Sequence, residues 1–291
     1  PVLGIVPHIE NIGIDDEDSV SLEDKQADRK ERDLHIAVLR TPKISNFTDF
    51  DCLAGEADVS LYYVTEVREL GQPDLILLPG SKNTTEDMMY LRDSGMEAAI
   101  RGAVSAGTPL MGICGGYQML GEEIRDPHHT ESSYDGVKGM GLLEMTTTFS
   151  PEKLTSQVET DCHDWPFLGT KISATGLKGY EIHMGETSFT GTDDCHPLTI
   201  TRRAGETCAV TEGTGRVDGL IFGTYIHGIF DHDEFRRQIL NALRQKKGLP
   251  PLTSTRSVAA EKQRSYDQLA AVVRRSLDMD KIRAIMGLGA K

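Results

Sequence analysis

The chain has 291 residues, a formal charge of −14 at neutral pH, 38% hydrophobic and 26% charged residues. That length can hold one large domain or two small ones with a full core, and the composition is that of an ordinary globular protein. No apolar run reaches the length of a membrane span, and the acidic balance argues against nucleic acid or an anionic membrane as a partner.

The five cysteines include no C-x-x-C pair. That pattern fits free thiols in a reducing compartment, and a cytoplasmic location is expected. Cys162-His163 and Cys195-His196 are adjacent pairs without finger-type spacing, so no metal is expected there. The chain opens on Pro1 with no charged and apolar leader, and a processed product or a piece of a longer chain is expected.

Residues 2–7 read as a strand without a near partner, and residues 15–33 as a charged, solvated linker. A domain boundary is expected after residue 33. A new unit then opens with a buried strand at 35–39. Residues 44–53 form a polar loop with spaced aromatics that leads into a short helix. Strands follow at 59–64 and 74–78, the latter ending in Pro79-Gly80-Ser81. One helix is expected over 86–106, stopped by Gly107 and Pro109. This rhythm implies an α/β fold: an open, mostly parallel twisted sheet with helices on both faces. Beyond 125 the β-branched, alternating segments at 141–149, 154–160, 171–177 and 198–211 predict antiparallel strands that extend the same sheet. A last apolar strand over 216–226 leads into His227-Gly228. Helix 232–247 is expected to start from Asp231 as N-cap, with Glu234 completing a capping box. Residues 257–287 read as one or two further helices in a C-terminal extension, 249–291.

The chemistry centres on 107–121. Pro109 to Ile113 is a short buried strand, Cys114 follows, then Gly115 and Gly116, then a helical pattern. A nucleophile held between a strand end and a helix start sits on a sharp turn that needs glycine beside it. A thiol at a helix N-terminus is favoured as its anion, and the Gly115 amide is free to donate to an oxyanion. The competing reading is a buried structural cysteine. His227 ends a strand at the same carboxyl edge and is the expected base, against the reading of a core histidine. Gly80 or Ser81 offers a second oxyanion donor, or merely a turn. Gln118 falls one turn into the helix behind the thiol, where it can face substrate. Over 179–187 the alternation puts Glu181 and His183 on one strand face, as pocket groups or as a solvated face.

The segment Gly112 to Gly121 resembles the nucleophile motif of class I glutamine amidotransferases, and its Gly-Gly-Tyr-Gln variant resembles the cobyric acid and cobyrinic acid diamide synthase branch. Residues 44–53, 179–187, 223–231 and 266–280 are similar to the cobyric acid synthase family. The resemblance implies an upstream ATP-binding domain, using Mg2+, that activates corrinoid carboxylates, and a glutaminase domain over 34–248 that supplies ammonia from glutamine. Residues 1–33 resemble the end of the upstream domain. The Gly-x4-Gly-Lys-Ser/Thr phosphate loop is absent here, so no cofactor is expected in this chain. In the common class I triad a Glu lies two residues after the His; here that residue is Ile229. The orienting acid is then Asp231, Glu181 or a group from elsewhere, or the site is a dyad. Rival readings are a sibling amidotransferase, such as cobyrinic acid a,c-diamide synthase or a cell-wall lipid precursor amidase, a cysteine hydrolase without ammonia transfer, and a non-catalytic module.

Overall fold

Uninterrupted apolar runs such as Leu75–Leu78 become strands covered on both faces, every residue buried. The computed structural model describes residues 1–10, 12–14, 31–192, 194–253 and 256–288. Contacts group the chain into two units, Asp18–Ser254 and a second made of Pro1–Glu17 with Thr255–Lys291.

In chain order the larger unit runs β1 (Leu34–Leu39), β2 (Ile44–Ser45), a 3-10 turn at Phe47–Phe50, α1 (Asp51–Ala54), β3 (Val59–Val64), α2 (Val67–Leu70), β4 (Leu75–Leu78) and β5 (Gly80–Ser81). It continues with α3 (Thr84–Asp93), α4 (Met96–Ser105), β6 (Leu110–Ile113), α5 (Gly115–Leu120), β7 (Glu123–Arg125), β8 (Gly136–Lys138), β9 (Met145–Phe167) and β10 (Thr170–Phe189). It closes with β11 (Asp194–Cys195), β12 (Leu198–Arg203), β13 (Glu206–Glu212), β14 (Thr214–Arg216), β15 (Ile221–Thr224), β16 (Ile226–His227), a 3-10 turn at Ile229–Asp231 and α6 (Asp233–Lys246).

The central sheet has the order β3-β1-β4-β6-β15, all parallel, with β14 and β11 added antiparallel beyond β15. This is the expected open, mostly parallel α/β sheet with an antiparallel extension. The chain steps from β1 out to β3, then crosses back to β4 on the other side of β1. Strand order reverses there, and loops leaving the carboxyl ends at such a reversal splay apart and leave a crevice.

The structure departs from the sequence reading in three places. The expected helix over 86–106 is two helices, because Gly95 takes a left-handed backbone (φ 78°) and starts α4 afresh. Most of the strands after residue 140 do not extend the central sheet. β9 and β10 form one long antiparallel ribbon, and a second sheet is built on it in the order β13-β12-β9-β10-β16. Helix α6 is capped by His232, whose ring nitrogen accepts from the Phe235 amide at 3.4 Å; Asp231 belongs to the preceding 3-10 turn.

The smaller unit contains residues 1–14 with α7 (Val258–Ser276) and α8 (Met279–Ile285). Residues 2–7 contribute a single antiparallel bridge, Gly4 to Leu277, and the Asp278 amide donates to the Leu3 carbonyl at 2.8 Å. The two ends of the chain, read from sequence as separate pieces, therefore share one unit. Most of the charged stretch 15–33 lies outside the described residues. No helix among the described residues is long and apolar enough to cross a membrane.

The elbow after β6 depends on close backbone approach. A Cβ on Gly116 would stand 1.9 Å from the Leu78 carbonyl oxygen, so α5 rests directly on the end of β4. Gly116→Ala is therefore expected to lower unfolding stability by about 1–3 kcal/mol or more. Gly102→Ala, in an exposed turn of α4 with nothing within 4 Å of the new methyl, is expected to raise it by about 0.5–1 kcal/mol. Denaturant midpoints of the two variants against the parent check the contrast.

Candidate active site at the carboxyl edge of the parallel sheet

Four loops that leave the carboxyl ends of β1, β4, β6 and β15 carry the chemistry-bearing side chains to one place. Cys114 follows β6 with φ 52° and ψ −110°, a strained conformation for a residue with a side chain. Its amide donates to the Thr224 carbonyl at 2.9 Å, which ties the elbow to β15. Its thiol lies 3.5 Å from the Ile182 carbonyl of β10. Behind it, α5 starts at Gly115 and leaves its first amides without helical partners.

His227, at the end of β16, is fully buried. Its Nδ1 donates to Asp49 Oδ2 at 2.7 Å, and the Gly228 amide donates to Asp49 Oδ1 at 2.9 Å. Nε2 has no partner of good geometry among the described residues. Burial pushes the imidazole pKa down, but the charge and hydrogen bond of Asp49, together with Cys114, outweigh it and hold the value at about 10. Asp49 leaves Nε2 as the ring nitrogen available to the thiol, in a contact that apo sites often show loosened.

Asp49 was not among the residues singled out from the sequence. The acids considered there do other work. Glu181 accepts from Nε and Nη2 of Arg203, at 3.0 and 3.2 Å, and does not orient His227. Asp231 engages the Cys52 thiol. Ile229, where the common triad has its acid, is an apolar side chain and is buried. The signal for Asp49 was its place: a carboxylate between Phe47 and Phe50, both buried, in the loop after β1. A loop that buries its aromatics also buries the acid between them.

Gly80 and Ser81 form β5 and pair with β2. Lys82 N donates to Lys43 O at 2.8 Å. Alternation along an antiparallel pair then spends the Gly80 amide in the ladder and turns the Ser81 amide outward. A Cβ on Gly115 would lie 2.9 Å from that Ser81 nitrogen, so the two backbone segments are side by side. The Ser81 hydroxyl is committed to Asp87 at 2.6 Å.

A cavity of about 450 Å³ opens onto Cys114 and is lined further by Ser81, Gln118, Glu131, Ile182 and His183. Gln118 is fixed through its side chain: Thr84 Oγ1 donates to its Oε1 at 3.2 Å, and its Nε2 donates to the Met184 carbonyl at 3.1 Å. Thr84 also fastens Glu131, its amide donating to Oε2 at 2.9 Å. Burial pushes the Glu131 carboxyl up to about 7 against the Thr84 bonds. Sequence reading missed Glu131 because the loop 126–132 had no motif. What builds that loop is Asp126, which accepts from the amides of Thr130, Glu131 and Ser132. His183 stacks on Tyr225 with ring centroids 3.9 Å apart; its Nε2 lies 3.9 Å from Glu181 Oε1, and neither ring nitrogen has a hydrogen-bond partner among the described residues. A thiol beside a carboxylate-clamped imidazole, with outward amides and a small polar cavity, is equipped for acyl transfer from a small amide.

The chain is a glutamine amidotransferase by sequence. More particularly, residues 35–235 match the family described as the CobB/CobQ-like glutamine amidotransferase domain, and the chain belongs to that family. It is 44% identical over 290 residues to the cobyric acid synthase of Moorella thermoacetica, covering 99% of this chain and 56% of that protein. It is 45% identical over 294 residues to the cobyric acid synthase of Klebsiella pneumoniae, covering 98% and 55%. The chain thus spans little more than half the length of these relatives. The fold recurs in the PurLQS structure from Thermotoga maritima, with a TM-score of 0.55 at 16% identity over 74% of this chain and 99% of that one.

Between an unfolded value near 6.5 and about 10 only the folded state holds the proton on His227, so its contribution to stability is full below about 6.5 and is lost as pH rises through about 10. Asp49→Asn removes the opposing charge and lets burial dominate. The imidazole is then expected to titrate below its ordinary value, and the fall in stability over that alkaline window should flatten. Histidine NMR titration and pH-dependent unfolding of the variant check both.

Proposed function

We propose that this chain hydrolyses glutamine through a Cys114 thioester and supplies the ammonia to ATP-dependent amidation of corrinoid carboxylates, as the glutaminase part of a cobyric acid synthase. The observation that carries this reading is the line Asp49–His227–Cys114, with the Asp49 to Nδ1 bond at 2.7 Å. Relatives of that name at 42–45% identity support the acceptor over the sibling amidotransferases.

In this mechanism His227 carries a proton at neutral pH and stands beside Cys114. The sulfur attacks the γ-amide carbon of glutamine. The Gly115 and Ser81 amides receive the oxyanion, each donor contributing ~3 kcal/mol. The imidazolium gives its proton to the departing nitrogen, and ammonia leaves. The neutral ring then takes a proton from water, whose oxygen attacks the thioester; glutamate is released and the thiolate–imidazolium pair returns. Gln118 and Glu131, both fastened by Thr84, are the groups that would grip the amino-acid end of the substrate.

ATP and Mg2+ belong, in this reading, to the part of the relatives that the chain does not span, since no P-loop pattern occurs here. Residues 1–33 would then close an upstream synthetase domain, with the helical extension 249–291 joined to it through the unit the two chain ends share, and 34–248 form the amidotransferase domain.

In the full-length enzyme, Cys114→Ala is expected to abolish glutamine-dependent amidation of the corrinoid while amidation from ammonium salt persists. His227→Ala should lower the glutamine-dependent rate about 10²–10⁴-fold. A diazo-ketone glutamine analogue should label Cys114 and no other cysteine. Glutamine turnover that survives Cys114→Ala overturns the mechanism, and amidation of a different acceptor overturns the assigned product.

A further inference from the structure

We propose that Tyr180 is a positioning residue for the reaction: the face of its phenol ring stabilises the protonated imidazole of His227, and Asn46 holds the phenol in place. The proposal rests on the thiolate–imidazolium reading above.

Tyr180 on β10 is the direct ladder partner of His227 on β16. Opposed residues of an antiparallel pair project to the same side and sit close together. Here the two rings lie nearly parallel, 17° between planes, with centroids 5.0 Å apart. The approach is close because β10 reaches β16 through Gly179, where a Cβ would fall 2.4 Å from the His227 carbonyl oxygen.

An aromatic face is electron-rich, so it attracts a cation within about 6 Å of the ring centroid more than it attracts a neutral ring. The stack therefore favours imidazolium over imidazole. It also covers a ring face that water would otherwise reach: His227 is fully buried while Tyr180 is 36% exposed.

Asn46 makes the arrangement a built one. Its Nδ2 donates to the Tyr180 hydroxyl at 2.8 Å. The same residue, in a left-handed backbone (φ 51°), is the N-cap of the 3-10 turn that carries Asp49. One turn after β1 thus holds the imidazole twice. Asp49 fixes its edge, and Asn46 fixes the phenol that lies on its face.

The charged and titratable groups bearing on His227 are few. Asp49 comes from the 3-10 turn and Cys114 from the elbow. Asp231, on the turn after Gly228, is engaged with Cys52. Glu181, next to Tyr180 on β10, is neutralised by Arg203. A change at position 180 is therefore read against a fixed electrostatic background.

The test is histidine NMR titration of His227 with glutaminase kinetics in the Tyr180→Leu, Tyr180→Phe and Asn46→Ala variants. Tyr180→Leu is expected to lower the His227 titration by about one unit. It should reduce kcat several-fold with KM for glutamine unchanged. Tyr180→Phe keeps the ring face and should recover most of both. Asn46→Ala should fall between them. Should Tyr180→Leu fail to fold, a multiply fluorinated phenylalanine at 180 keeps the shape, drains the ring face of charge and should lower the titration in the same way. A ring-depleted variant that titrates His227 at the parent pH with parent kcat overturns the proposal. Absence of Cys114 labelling by the glutamine analogue in the parent protein would instead overturn the thioester reading on which it stands.

Discussion

The site depends on one bond between residues 178 positions apart, the Asp49 carboxylate on His227 Nδ1. A fully buried imidazole would ordinarily be neutral, since burial disfavours its charged form. Here the carboxylate is itself buried, so its attraction is little screened, and its other oxygen is spent on the Gly228 amide rather than left idle. The acid, the ring and the backbone after the ring are locked into one unit. Packing backs it: Phe50 lies against Phe230 at 6.3 Å between centroids, joining the turn that carries Asp49 to the turn that follows His227.

The fold explains why that bond can form. Asp49, Ser81, Cys114 and His227 are far apart in sequence, but each follows a strand of the central sheet or its immediate continuation. Parallel strands put all their carboxyl ends on one side, so every loop that follows a strand is delivered to the same rim. The reversal between β1 and β4 opens that rim where the loop with Asp49 meets the loop with Ser81. The short β2–β5 pairing then joins these two loops across the crevice and sets which amide faces the elbow.

The elbow and its histidine were legible in the sequence because their signals are local. Cys114 sits between a strand end and two glycines, and His227 ends an apolar strand. The two carboxylates that complete the site, Asp49 and Glu131, were not, for a physical reason. An acid for His227 was sought at Asp231, near it in the chain, and at Glu181, on the strand face it shares with His183. Asp49 leaves no local pattern; its only trace is a buried aromatic on either side. Asp231 looked like a cap because Glu234, three residues on, completes a capping-box pattern with it, yet the ring of His232 supplies that cap. The long ribbon was also read in fragments. Alternation shows that 154–160 and 171–177 are strands but not that they belong to one continuous ribbon in which 154–160 pairs with 177–183.

That ribbon is the last constraint on the site, and it makes the second sheet more than an appendage. β10 contributes the Ile182 carbonyl beside the thiol, the Met184 carbonyl that fixes Gln118 and the Tyr180 ring on His227. Ile182 and Met184 lie two residues apart on a stretch of β10 still in register with β9 and beyond its pairing with β16, so alternation turns both carbonyls away from β9 toward the site. Beyond the register shift between Met184 and Glu186, Thr187 meets the Tyr225 hydroxyl at 2.6 Å, and Tyr225 is itself stacked on His183. The parallel sheet therefore supplies the reacting groups. The ribbon supplies the wall that orients them, and neither half alone would hold an imidazole charged in a buried place.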